Sequence, residues 1–135
     1  MDLPENLVGS LYSDRRAVVH SEANSVIQTD HGKFLLVIKK TNAFVVCCSI
    51  NTNRFRFKPE AAQPKILQQE NTFLKHDSFV DCAQLFTISV DLFLDNLNKG
   101  IFKPVGLLNE FSMAVVLRAG QSCEVLNKIE QDYFK

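Results

Sequence analysis

Two uninterrupted apolar runs, Phe34-Leu35-Leu36-Val37-Ile38 and Phe44-Val45-Val46-Cys47-Cys48, constrain this chain more than any other feature. Thr41-Asn42 between them is a turn signal, so the pair predicts a β-hairpin. A strand with one wet face alternates apolar and polar residues. Continuous apolarity means that both faces of the hairpin are covered. The fold must therefore place something on each side of a sheet. A chain of 135 residues, 46% of them hydrophobic, has the material to do so without a disulfide or a metal.

The remaining elements follow from turns and period. Met1 to Ser13 holds Pro4 and Gly9 and reads as an arm or a first edge element. Ala17-Val18-Val19-His20 and Ser25-Val26-Ile27-Gln28 are rich in β-branched residues and predict short strands, with a turn at Thr29-Asp30-His31-Gly32. Arg54-Phe55-Arg56-Phe57-Lys58 alternates strictly and predicts a strand, its rings on one face and its cations on the other. Lys65-Ile66-Leu67 is a further short strand candidate.

From Ser89 the period becomes helical. Ser89 is an N-cap, Val90, Phe93, Leu94 and Leu97 share a face, and Gly100 is a C-cap signal. Ile101 to Leu108 contains Pro104 and reads as a connector or edge strand. Asn109 caps a helix carrying Met113, Val116 and Leu117 that ends at Arg118-Ala119-Gly120. Ser122 then opens a last helix with Val125, Leu126, Ile129 and Tyr133 facing inward. No repeat or linker divides the chain. It reads as one α+β domain over 1–135: residues 1–13 an arm, 14–88 mainly β, and 89–135 mainly helical, with two or three short helices.

Fifteen basic and fifteen acidic side chains cancel, so any polyanion site has to come from local clustering. Phe is over-used at eleven residues while Trp is absent, and most of these rings read as core. The four cysteines form no C-x-x-C pair, no apolar leader opens the sequence, and no stretch approaches the length of a membrane span. A cytoplasmic, reduced protein is the expectation. Cys47 and Cys48 point to opposite faces of a strand and cannot chelate one ion together. His20, His31 and His76 add ligand types without zinc spacing, so neither metal nor cofactor is expected.

Two constellations could carry chemistry. On a strand, Arg54, Arg56 and Lys58 would stand about 7 Å apart, near the repeat of a nucleic-acid backbone, with Lys33, Lys39 and Lys40 extending the patch where strands adjoin. A solvated or charge-protected sheet face is the plainer explanation of the same row. Lys75-His76-Asp77-Ser78 combines an imidazole, a carboxylate and a hydroxyl, which are also good turn residues. In a nuclease, His76 would move a proton while Lys33 or Arg54 stabilises the phosphate.

Gly32 to Ile38, Phe44 to Thr52 and Ser78 to Leu85 together resemble the MazF/PemK-like toxins, small SH3-like barrels of toxin–antitoxin systems. The resemblance spans Thr29 to Phe134. It implies a small SH3-like β-barrel with mostly C-terminal helices. It also implies an RNA-contacting endoribonuclease, single-stranded RNA and an antitoxin as partners, and a homodimer. The family's arginine before the first core strand falls on Gly32 and Lys33, and its hydroxyl after the second falls on Asn51 or Thr52. Lys33, His76 and Thr52 are thus the catalytic candidates, and Arg54, Arg56, Lys58 and Lys75 the RNA-binding ones. The alternative is a barrel without chemistry that binds another protein as a regulator or inhibitor, of a kind that a phage or mobile element could encode.

Overall fold

The computed structural model describes residues 5–22 and 32–135. The strand expected at Ser25 to Gln28, and His31 with most of its turn, lie outside the described residues. The architecture is α+β: a curled antiparallel half-barrel sheet with four short helices, mostly C-terminal.

The hairpin forms the middle of the sheet. Strands β2 (Lys33–Lys40) and β3 (Phe44–Asn51) pair antiparallel with Phe34 opposite Ile50 and Leu36 opposite Cys48. The turn is closed by Thr41, whose Oγ1 accepts from the Phe44 backbone N–H at 2.9 Å. On the outer side of β2 lies β1 (Ala17–Ser21), and beyond it β7 (Phe102–Leu107) forms one edge. Pro104 is tolerated there, as a residue without an N–H belongs on an edge. The far side of β3 is shared end to end. β6 (Phe86–Ser89) takes Phe44 to Cys47, and β5 (Ser78–Val80) takes Ile50 and Asn51. β4 (Lys65–Ile66) pairs with β5 at the other edge.

Both faces of the sheet are covered, which is why β2 and β3 read as unbroken apolar runs. Leu36, Ile38, Cys48 and Ile50 join a core with Met113 and Val116 of helix α3 (Glu110–Gln121), Leu126 and Phe134. Leu35, Val37, Val45 and Cys47 point the other way, to Phe93 and Leu97 of helix α2 (Val90–Asn98) and to Phe102. Cys47 and Cys48 thus lie in different cores, and burial pushes both thiols well up from their ordinary range.

Caps set the helix starts. Ser89 Oγ accepts from the Leu92 N–H at 3.2 Å, and Asn109 Oδ1 accepts from the Phe111 N–H at 2.8 Å. Helix α2 stops where Gly100 enters the left-handed region at φ +76°.

Three expectations are corrected. The arm at 1–13 contains helix α1 (Glu5–Tyr12), whose Tyr12 packs onto the α2 side of the sheet. The last helix does not start at Ser122, which ends α3. Helix α4 (Lys128–Asp132) starts at an Asn127 capping box. Of its expected inward residues only Leu126 is buried, while Val125 and Ile129 are 59% and 68% exposed. Finally, residues 54–58 form no strand but an irregular turn between β3 and the 3-10 segment Glu60–Ala62. No helix among the described residues is long and apolar enough to cross a membrane.

Candidate functional site

The register of β2, β3 and β5 brings three separated segments to one end of the sheet. Pairing Phe34 with Ile50 puts Lys33 beside Asn51, and pairing Asn51 with Phe79 brings up the segment before β5, Lys75 to Asp77. A cavity of about 80 Å³ opens there, lined by Phe34, Ile50, Asn51, Thr52, Leu74, Lys75, His76 and Ser78. Its lining combines three apolar side chains with an amide, two hydroxyls, an ammonium and an imidazole.

The polar groups are tied to one another. Lys33 Nζ donates to Asn51 Oδ1 at 2.5 Å, and Asn51 Nδ2 donates to Ser49 Oγ at 3.0 Å. The β3 end thus holds the ammonium at the cavity's edge. His76 Nδ1 lies 2.8 Å from the Asp77 carbonyl oxygen and 3.2 Å from Ser78 Oγ. A carbonyl can only accept, so Nδ1 carries the proton and, in the neutral ring, Nε2 keeps its lone pair. Ser78 is buried, and its hydroxyl also reaches the His76 carbonyl at 3.2 Å. The loop is therefore pinned on both sides of the imidazole. The Asp77 side chain takes no part. Its carboxylate accepts from the Gln68 N–H at 2.9 Å and faces Lys65 Nζ at 3.7 Å, so Asp77 orients His76 through its backbone carbonyl and not through its carboxylate.

Thr52, Lys75 and His76 line this one cavity, and Lys33 stands at its edge through Asn51. Lys75 is exposed and makes no ion pair with a described residue. The row at 54–58 is different. Without a strand, the three cations do not project together. Arg54 pairs with Glu60 at 3.2 Å, donates through Nε to the Gln63 carbonyl at 3.0 Å, and lies 4.5 Å from the centre of the Phe79 ring. Lys58 is half-buried and pairs with the buried Asp81 carboxylate. Arg56 is exposed, without an ion pair to a described residue. Lys39 and Lys40 lie at the opposite end of β2 from Lys33, about 20 Å away at the rise of a strand, and do not extend the patch.

The alternation at 54–58 survives in one respect, since Phe55 and Phe57 still meet, ring centres 5.7 Å apart. Lys33 Nζ lies 5.9 Å and Lys58 Nζ 4.5 Å from the centre of the Phe55 ring. The turn and the cavity are therefore neighbours, joined through Lys33. Sequence reasoning missed Gln63, the buried amide that organises the turn. A single Gln in a Pro- and Ala-rich loop gives no signal of that role. Among the described residues no group of three or more His, Cys, Asp or Glu side chains could hold a metal ion.

No protein-family model and no curated protein matches the chain.

Proposed function

We propose that the protein contacts single-stranded RNA and cleaves it at the cavity beside Asn51, in the manner of the MazF/PemK-like toxins. The observation that supports this reading is the meeting of Lys33, Thr52, Lys75 and His76 around one small cavity from three segments of the chain. RNA carries its own nucleophile, so such an enzyme needs only an acid/base group and a cation. The ribose 2′-oxygen attacks phosphorus, and its proton passes to His76 Nε2. The bond from phosphorus to the 5′-oxygen breaks, that oxygen takes a proton from water, and the hydroxide left behind takes the proton back from His76. A 2′,3′-cyclic phosphate and a 5′-hydroxyl remain. Lys33 and Lys75 offset the charge that grows on the phosphate oxygens, and Thr52 hydrogen-bonds one of them.

Incubation with labelled single-stranded RNA, read on a gel, is the test. The wild type should cleave, and His76→Ala should lower the rate by about 10²–10⁴-fold, the usual contribution of a positioned acid/base group. Lys33→Ala should also slow it. His76 is exposed, so its loss should leave folding intact. An inert wild type, or undiminished cleavage by the Lys33→Ala/His76→Ala double variant, refutes the catalytic reading.

A second reading, a non-catalytic module that binds a protein such as an antitoxin or a target enzyme, is favoured by α3. There Phe111 and Val115 stand exposed one turn apart, and Leu107, four residues before Phe111, is exposed as well. A stoichiometric protein partner whose binding is lost in Phe111→Ser, together with no affinity for RNA, would support it over the first.

A further inference from the structure

Phe57 is 82% exposed, more than any other large apolar side chain among the described residues. A lone exposed Phe is ordinary. The bracing of this one is not. Gln63 is buried beneath the turn. Its Oε1 accepts from the Phe55 N–H at 2.6 Å, and its Nε2 lies 3.1 Å from the Phe55 carbonyl and 3.2 Å from those of Lys58 and Pro59. The Lys58 ammonium, anchored on Asp81, stands 5.8 Å from the centre of the Phe57 ring. The backbone on either side of Phe57 is thus held from below, while the ring stays in solvent and contributes little to either core. Arg56 beside it is exposed and makes no ion pair with a described residue.

We infer that Phe57 is a stacking platform for one unpaired nucleobase, with Arg56 on a neighbouring phosphate, so that the strand runs from this turn over Lys33 into the cavity. The inference rests on the RNA reading above and names the form of RNA that the site selects. A flat aromatic face serves any base, and stacking on a pre-set ring avoids the entropy of ordering a mobile loop. The charge of the surroundings favours an anionic ligand over a neutral peptide side chain, with three cations to one carboxylate in the turn. A hollow of about 200 Å³ in the same turn is lined by Arg54, Phe55, Arg56, Lys58, Glu60 and Gln63, so charged heads stand around the stems and ring that form its walls. Bases in a duplex already stack on their neighbours and offer no free face, so the platform selects single strands.

The test separates binding from cleavage. A fluorescently labelled 2′-fluoro RNA, which lacks the nucleophile, is titrated with protein and followed by anisotropy, beside DNA of the same sequence and a duplex. Phe57→Ala should weaken single-strand binding by roughly 5- to 150-fold, the value of one base–aromatic stack. Phe57→Trp should retain affinity, and Phe57→Leu should not, because it keeps apolar area without a π-face. Arg56→Ala should weaken binding across sequences and lower the slope of affinity against salt by about one. Weaker binding of DNA than of 2′-fluoro RNA would mark the sugar as part of the recognition, and equal binding would widen the ligand to any single strand. Duplex affinity should not depend on Phe57. A wild type that binds, with Phe57→Ala or Phe57→Leu equal to it, overturns the platform and leaves the RNA reading standing. A wild type that neither binds nor cleaves overturns both.

Discussion

Lys58 is 16% exposed and its partner Asp81 only 2%, so this ion pair belongs to the interior side of the turn. Asp81 also accepts the Ala83 N–H at 3.0 Å, and Lys58 Nζ reaches Gln84 Oε1 at 3.3 Å. Removing one member of a buried pair leaves the other charge without compensation, typically at 3–5 kcal/mol. Lys58→Ala should therefore lower the unfolding free energy by about 3 kcal/mol in urea titrations. The double variant Lys58→Met/Asp81→Asn should lose less, because it removes both charges and keeps an acceptor for Ala83. At this scale the sequence misled for a definable reason. Alternating Arg-Phe-Arg-Phe-Lys states a period, but a strand also needs a neighbour to take its backbone groups. Here the Gln63 side chain takes them instead, and a side-chain amide competing for backbone leaves no mark on hydrophobic period.

Elements whose signals are local were legible. The β2–β3 hairpin, α2 and α3 all carry their own turn or cap residues, and they lie where Thr41, Ser89 and Asn109 put them. Helix α1 was not legible, because eight residues with Leu7 and Leu11 left exposed make a marginal helix that depends on packing against α2. The sequence predicts the last helix too early because Ser122 looks like an N-cap. Its hydroxyl instead bonds back to the Arg118 and Ala119 carbonyls and closes α3. The junction between the two helices rests on Gly120. A Cβ there would meet the buried Phe134 ring at 2.1 Å. Gly120→Ala should then destabilise the protein by about 1–3 kcal/mol or more despite its better helix propensity, because the ring has to move. Thermal unfolding checks the sign: a variant as stable as the wild type would mean that the ring has room to shift.

The candidate site is legible in the whole molecule and not in the chain. Lys33, Thr52 and His76 could each be named beforehand, but their meeting depends on strand register, which no local pattern specifies when both faces are apolar. The same holds for Arg15. Its guanidinium donates to the Ile38 carbonyl at 2.6 Å, to Tyr133 O at 2.9 Å and to Lys135 O at 2.8 Å. Hydrogen bonds from a charged donor contribute about 1.5–3 kcal/mol, and Arg15 is partly exposed, so Arg15→Ala should cost near the lower figure, about 1.5 kcal/mol. Arg15→Lys should recover only part of it, because an ammonium lacks the planar fork that spans these carbonyls. Denaturant midpoints of the two variants check this.

Arg15 joins the start of the sheet to residues 133–135, and Phe134 fills the α3 side of the core. A ribosome therefore cannot deliver a finished structure in instalments. The paired strands emerge early, with their apolar undersides waiting for residues 126–134 to be synthesised. Until Leu126 and Phe134 have been synthesised that surface stays open, and any chaperone that shields it has to act in the interval after the hairpin appears.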